Sequence, residues 1–337
     1  MNAPDPTWLA GYLYYTGAQE TFLTQAVAPF VHTMLAQGWA EQGFFIRYGE
    51  RGPHIRLRFK GHPGTLEHRV KPQFVSFFQD YYARYPSQRR DPAWVQELPP
   101  EQRWFPNNSV QFVVYEPEIA RYGGPVGIHI AERQFHASSC AVLAVLQDSG
   151  CWSYDRALGA AIQLHLTFAA ALGMDLYETT QFYTSVSQHW YDYAVPSADD
   201  PSAQTRAQRR EHILSIFAQQ FTQQQVTLMP YHEALWKALV TDVVFEQDWL
   251  NRWRYDMSQV GCALRAAQQQ LLVPYGWQPN PTLAIPVARQ QLWPIFESYV
   301  HMTNNRLGIF NRDEAYIGYL IHQSLQALCT AEKSRVC

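Results

Sequence analysis

From His54 to Lys60 the chain alternates strictly between basic and apolar positions. Successive side chains of a β-strand point to opposite faces. Ile55, Leu57 and Phe59 therefore share a face that suits a core, and His54, Arg56, Arg58 and Lys60 share the other. The aromatic, β-prone run Trp8–Thr16 and the segment Gly43–Tyr48 are predicted as further strands. Gly49-Glu-Arg-Gly-Pro53 supplies the turn that makes 43–60 a hairpin. Val110–Glu116 is predicted as a strand, with Val126–Ile130 as another candidate. Apolar residues at Phe22, Ala26, Val27, Phe30, Met34 and Leu35 recur at helical spacing. So do Val70, Phe74, Phe77, Phe78, Tyr81 and Tyr85. Residues 86–108, rich in Pro, Arg and Gln, read as a connector.

From residue 132 onward the period becomes helical. Leu158, Ala161, Ile162, His165, Ala169 and Leu172 share one helical face, which makes His165 a structural residue. Helices are predicted over 207–224, 231–242, 245–272 and 287–306, with a kink at Pro294 and a polar loop over 192–206. No repeat at a solenoid period occurs. Strands first and helices afterwards predict an α+β (mixed α/β) fold. Its strand-rich N-terminal third is expected to pack with a mainly helical C-terminal part, as a single domain over 1–337.

Composition narrows the function. With 47% apolar residues among 337, the chain can bury a sizeable core. Charged residues are only 16% and the net charge is −3, which excludes a strongly basic nucleic-acid binder and an acidic disordered tail. The 15% aromatic content suits large apolar surfaces, including one that receives a ligand or a peptide. Cys140, Cys151, Cys262, Cys329 and Cys337 are widely spaced with no CxxC, against a disulfide scaffold or a structural zinc site. The N-terminus lacks signal-peptide features, and no apolar run approaches the roughly 18 residues of a membrane span. A cytoplasmic protein is expected.

Three constellations carry candidate chemistry. The basic face of 54–60 suits a carboxylate or a developing oxyanion, and equally an ordinary half-exposed strand. In Tyr115-Glu-Pro-Glu-Ile-Ala-Arg-Tyr-Gly-Gly124, Glu118 and Arg121 stand before a glycine pair, as a functional loop or a surface ion pair. On the third, Glu297, His301 and Asn305 share one helical stripe and Gly308 reads as the helix stop. His301 suits proton transfer with Glu297 orienting it, or a hydrogen-bonded histidine at the core edge. No HExxH, GxSxG, Walker A or strand-linked GxGxxG is present.

Together, Gly-Pro-His-Ile-Arg-Leu-Arg-Phe (52–59), Glu-x-x-Arg-Tyr-Gly-Gly (118–124) and His-Met-x-x-Asn-Arg-Leu-Gly (301–308) resemble the glutamate-elimination domain of class I lantibiotic dehydratases, also called the thiopeptide-type bacteriocin biosynthesis domain. The resemblance runs from Trp8 to Gly308. It implies a stand-alone elimination subunit that removes glutamate from glutamylated Ser or Thr of a ribosomally made precursor peptide, leaving dehydroalanine or dehydrobutyrine. A separate tRNA-dependent glutamylation protein is the implied partner, no metal or other cofactor is implied, and a homodimer is compatible. Arg58, Arg121 and His301 match the elimination residues, and Arg56 and Glu118 match supporting, substrate-binding positions. Where the family commonly has an acidic residue before Ser, in Phe-x-Ala-Asp-Ser, this chain has Phe135-His-Ala-Ser-Ser139, which puts Ser138 at that position. The alternatives are a thiopeptide pyridine synthase, which joins two dehydroalanines by [4+2] cycloaddition and expels the leader peptide, and a non-catalytic peptide-binding subunit.

Overall fold

The computed structural model describes residues 5–148, 150, 152–194 and 203–336. Cys151, Cys337 and most of the loop expected over 192–206 lie outside them. The chain forms two compact units, one from Met1–Glu118 and Phe135–Trp152, the other from Ile119–Gln134 and Ser153–Cys337.

The first unit is built on an antiparallel sheet of β1 (Thr7–Tyr14), β2 (Gln42–Tyr48), β3 (His54–Gly61) and β4 (Ser109–Phe112), in the order β2-β3-β1-β4. The alternation of 54–60 sets its two faces as expected. Ile55, Leu57 and Phe59 are at most 2% exposed. Helices α1 (Ala28–Ala36) and α2 (Lys71–Arg84) cover that face, where the Phe30 ring lies 5.7 Å from Phe59 and 5.4 Å from Phe74. Gly11 on β1 makes this approach feasible, because a Cβ there would stand 2.3 Å from the Phe74 ring. On the opposite face the register sets Arg58 between Ala10 and Phe44, and Arg56 between Tyr12 and Ile46. The predicted strand 110–116 is shorter than expected, ending at Phe112, and the connector holds one helical turn, Trp94–Glu97.

Helix α3 (Gly124–Asp148) contributes its first part to the second unit and its remainder to the first. The strand considered at Val126–Ile130 is therefore a helix. Pro125 occupies its first turn, where no N–H is needed, and that start outweighs the weak β-preference of Val126, Ile128 and Ile130. Within the first unit α3 closes one sheet edge. Phe45 N–H donates to Ser139 Oγ at 3.1 Å, and His136 Nδ1 lies 2.9 Å from the Gly43 carbonyl. These contacts occupy backbone groups that an edge strand would otherwise offer to another chain.

In the second unit follow α4 (Tyr154–Ala171), α5 (Leu176–Ala194), α6 (Ala203–Val240), α7 (Asp248–Ala267), α8 (Trp293–Leu307) and α9 (Asn311–Val336). The helices expected at 207–224 and 231–242 are one helix, with Pro230 inside it. An interior proline costs about 3 kcal/mol. The buried Phe217 and Phe221 before it, and Leu235, Trp236 and Leu239 after it, offset that cost. Pro294 does not kink 287–306: it lies in the first turn of α8 and starts that helix. Trp253 of α7 is 1% exposed, and its indole N–H donates to the Leu164 carbonyl at 2.9 Å. No helix among the described residues is long and apolar enough to cross a membrane.

Candidate functional site

In the first unit a cavity of about 460 Å³ opens on the basic face of the sheet, with Tyr12, Tyr14, Arg51, Arg56, Arg58 and Glu116 in its lining. Arg58 is only 8% exposed. Its guanidinium lies 4.7 Å from the Tyr115 ring centroid and 5.2 Å from that of Phe44, and it hydrogen-bonds Tyr12. Burial lowers its pKa, yet a guanidinium stays charged. Nε has no hydrogen-bond partner, and no carboxylate of the described residues pairs with Arg58. Aromatic faces thus hold a desolvated cation whose Nε donor is unused.

Arg56 is instead partnered through Nε and Nη2. It pairs with Glu50 at 2.9 Å, stacks 3.5 Å over Tyr48, and donates from Nε to His54 Nε2 at 3.1 Å. That bond makes Nε2 an acceptor, so the His54 proton sits on Nδ1 and is donated to the Gly52 carbonyl at 2.7 Å. Burial pushes the His54 pKa down to about 4, with Arg56 and Arg58 acting in the same direction. His54 is therefore a neutral bracket for Arg56, not a fourth positive charge on the strand. Arg51 takes a left-handed backbone conformation in the hairpin turn, φ 57°, and lays its guanidinium 3.8 Å over the Phe105 ring.

The other two motifs meet in the second unit. Arg121 ends the single 3₁₀ turn Ile119–Tyr122 and is exposed. Its Nε donates to Ser298 Oγ of α8 at 3.1 Å. Ser298 and His301 are three residues apart on that helix, so Arg121 and His301 flank one surface. Glu118 is exposed and belongs to the first unit's segment.

His301 Nδ1 lies 2.8 Å from Glu314 Oε1 of α9, and its ring stacks on Trp190 at 4.6 Å. Glu297 is not its orienting partner: it accepts from Ser185 Oγ at 2.8 Å, and burial raises its pKa. The chain reversal at Gly308 is what brings a different carboxylate to the ring. That residue caps α8 at φ 80°, as expected, and the turn after it returns Glu314 to the ring. Glu314 is 1% exposed, and its Oε2 accepts from Asn304 Nδ2 at 3.1 Å. Asn304 Oδ1 in turn accepts from His165 Nε2 at 2.8 Å. Burial holds the His165 pKa down at about 4, so this end of the row is neutral. A carboxylate only accepts, which places the His301 proton on Nδ1 and leaves Nε2 available as a base.

Glu314, Asn304 and Trp190 were not legible as site residues. The one signal was the acidic pair Asp313-Glu314 shortly after a predicted helix stop. Ser138 is fully buried in α3, and its hydroxyl has no hydrogen-bond partner among the described residues.

The family described as "Lantibiotic biosynthesis dehydratase C-term" matches residues 8–325. The chain belongs to that family. Among solved structures, it is similar over 95% of its length, and 97% of the other chain, to TbtD, a pyridine synthase from thiomuracin biosynthesis, with a TM-score of 0.69 and 18% identity. It is similar to TsrL over 96% of its length and 95% of that chain, with a TM-score of 0.63 and 17% identity. It is also similar to MibB, a tRNA-dependent lantibiotic dehydratase from Microbispora sp. 107891, with a TM-score of 0.56 and 19% identity. That match takes in 97% of this chain but only 28% of MibB, so the chain spans about a quarter of the dehydratase. A comparison with curated protein sequences gives no match.

Proposed function

We propose that the chain eliminates glutamate from glutamylated Ser or Thr in a ribosomally made precursor peptide, using an ester made by a separate tRNA-dependent glutamylating protein. The observation that carries this reading is Arg58, a buried cation with an unused donor and no carboxylate partner among the described residues. In the elimination a base takes the α-proton, its electron pair becomes the Cα–Cβ double bond, and the Cβ–O bond breaks to release glutamate. His301 Nε2 is assigned the proton. Arg58 is assigned the departing carboxylate and Arg121 the negative charge developing on the peptide carbonyl. Arg56 and Glu118 are assigned contacts to the substrate. Residues of these types perform the reaction without a cofactor.

A second reading, pyridine synthesis from two dehydroalanines, is favoured by two observations. TbtD matches over nearly its whole length with a higher TM-score than MibB. Ser138 also replaces the acid of the elimination motif. One experiment separates the readings: the purified chain is given a glutamyl-serine peptide or a peptide with two dehydroalanines, and the products are weighed. Dehydroalanine and free glutamate from the first are expected. Ring formation with leader release from the second, and an untouched ester, would replace elimination with cycloaddition. Arg58→Ala is expected to lower elimination by about 10²-fold or more while the melting temperature holds, and Arg58→Lys to recover little, since an ammonium lacks the fork.

A further inference from the structure

The sheet of the first unit has two edges with different fates. At β2 the outward backbone groups of Gly43 and Phe45 are engaged by His136 and Ser139. At β4 the ladder continues past the strand, where Val113 N–H donates to the Ala10 carbonyl at 3.2 Å. In an antiparallel pair the residues direct their backbone groups alternately toward and away from the partner. Gln111 stands opposite Tyr12 in this register. Ser109, Gln111 and Val113 therefore face β1, and the peptide groups of Val110, Phe112 and Val114 face outward. No strand among the described residues pairs there. Val114 is 79% exposed, and neither a proline nor a charge blunts the stretch 109–114.

This edge borders the arginine cavity, because Val113 and Val114 are part of the lining that includes Arg51, Arg56 and Arg58. A strand added to β4 would point every second side chain to the basic face, as Gln111 and Val113 do. Three strand spacings, about 14 Å, would separate it from β3, a gap that a glutamylated side chain and Arg58 bridge between them. Charge decides the occupant: Glu50 already pairs with Arg56, Glu116 lines the cavity, and Arg58 has no carboxylate partner among the described residues.

We infer that β4 is the docking edge for an extended segment of the peptide substrate, added as a fifth strand whose acylated residue carries the free carboxylate of its glutamyl group into the arginine cavity, beside the ester carboxyl that departs. This rests on the elimination reading for the identity of the acyl group. The hydrogen bonds come from the peptide backbone, so recognition tolerates sequence variation on either side of the modified residue.

The test uses the full chain and a probe that cannot eliminate. The probe is an acetylated, amidated heptapeptide of Ser and Thr with central diaminopropionate acylated by glutamate, an amide in place of the ester. A control carries glutamine as the acyl group. Titration to millimolar is followed by amide NMR and hydrogen exchange. The amides of Val110, Phe112 and Val114 are expected to shift and gain protection, and the glutamine control to bind about tenfold more weakly, the worth of one charge-assisted hydrogen bond. Val110→Pro and Val114→Pro remove outward donors without touching the ladder to β1, and each is expected to weaken binding about fivefold or more with the melting temperature held. Perturbation elsewhere, no binding at millimolar probe, or Pro variants that bind like the parent chain would overturn the docking edge. Elimination of the true ester is measured alongside. Activity without protection at β4 sinks the docking alone, and protection without activity sinks the elimination reading alone.

Discussion

Glu314 shows at the level of single residues what a helical stripe conceals. Glu297, His301 and Asn305 share a face of α8, yet the carboxylate that reaches His301 comes from the next helix. Spacing within one helix is readable from sequence, as the αL stop at Gly308 confirms, but contact across a turn depends on how two helices pack. If His301 moves the proton, His301→Ala should cut elimination by about 10²–10⁴-fold while the fold survives. Glu314→Gln is the sharper variant, because it keeps the size and removes the charge that fixes the tautomer. Its expected signature is a slowed single-turnover elimination together with loss of the Nδ1–H preference in the ¹⁵N spectrum of His301. Normal turnover per folded molecule in both variants would reduce the pair to a core contact. The strand arginines were legible because alternation orders one face. That Arg58 is desolvated and Arg56 already paired was not, since Tyr115, Phe44 and Glu50 reach them from other segments.

Among the elements, glycines and prolines mark the places where the sequence pattern and the fold part company. Pro125 and Pro294 both start helices, and Pro230 lies inside one, so a proline alone decides little without its neighbours. The pair Gly123-Gly124 is more constraining. Both residues have φ of 86°, and Leu272 N–H donates to the Gly123 carbonyl at 2.9 Å. A Cβ on Gly123 would stand 2.8 Å from Ile295 Cδ1 of α8. Gly123→Ala therefore forces a left-handed alanine into a filled space. A loss of about 1–3 kcal/mol is expected, read as a lowered urea midpoint. Because Arg121 is two residues upstream and tied to Ser298, elimination per folded molecule should fall as well. An unchanged midpoint would mean that the loop relaxes freely and that the glycines are not needed for this geometry. The sequence pattern located this loop correctly, and its burial against α8 explains why glycine is needed there.

Across the whole molecule, neutral buried histidines make stability depend on pH. His54, His165 and His232 are at most 2% exposed, and burial lowers each pKa to about 4. His322 is shifted in the same direction. An exposed histidine in the unfolded chain titrates near 6.5. Between about pH 6.5 and 4 the unfolded chain thus holds protons that the folded chain refuses, and stability rises with pH across that window. Above it the contribution is fully present, and as pH falls through it the contribution is lost. Glu297 acts oppositely, because its raised pKa makes the folded state take a proton first and adds stability as pH falls. Three or four histidines against one carboxyl leave a net loss in acid. With three protons taken up on unfolding, the slope approaches about 4 kcal/mol per pH unit at most, and partial exposure of water to the opened sites reduces it. His54 belongs to the first unit, and His165 and His232 to the second. If the units unfold in separate steps, the second should lose stability more steeply. Urea midpoints from pH 7.5 to 4.5 check this. A fall that begins below 6.5, and is shallower in His232→Leu, is expected, since both nitrogens of His232 lack partners among the described residues and an apolar replacement leaves nothing unsatisfied. A flat profile down to pH 4.5 would mean that these rings reach solvent in the folded protein.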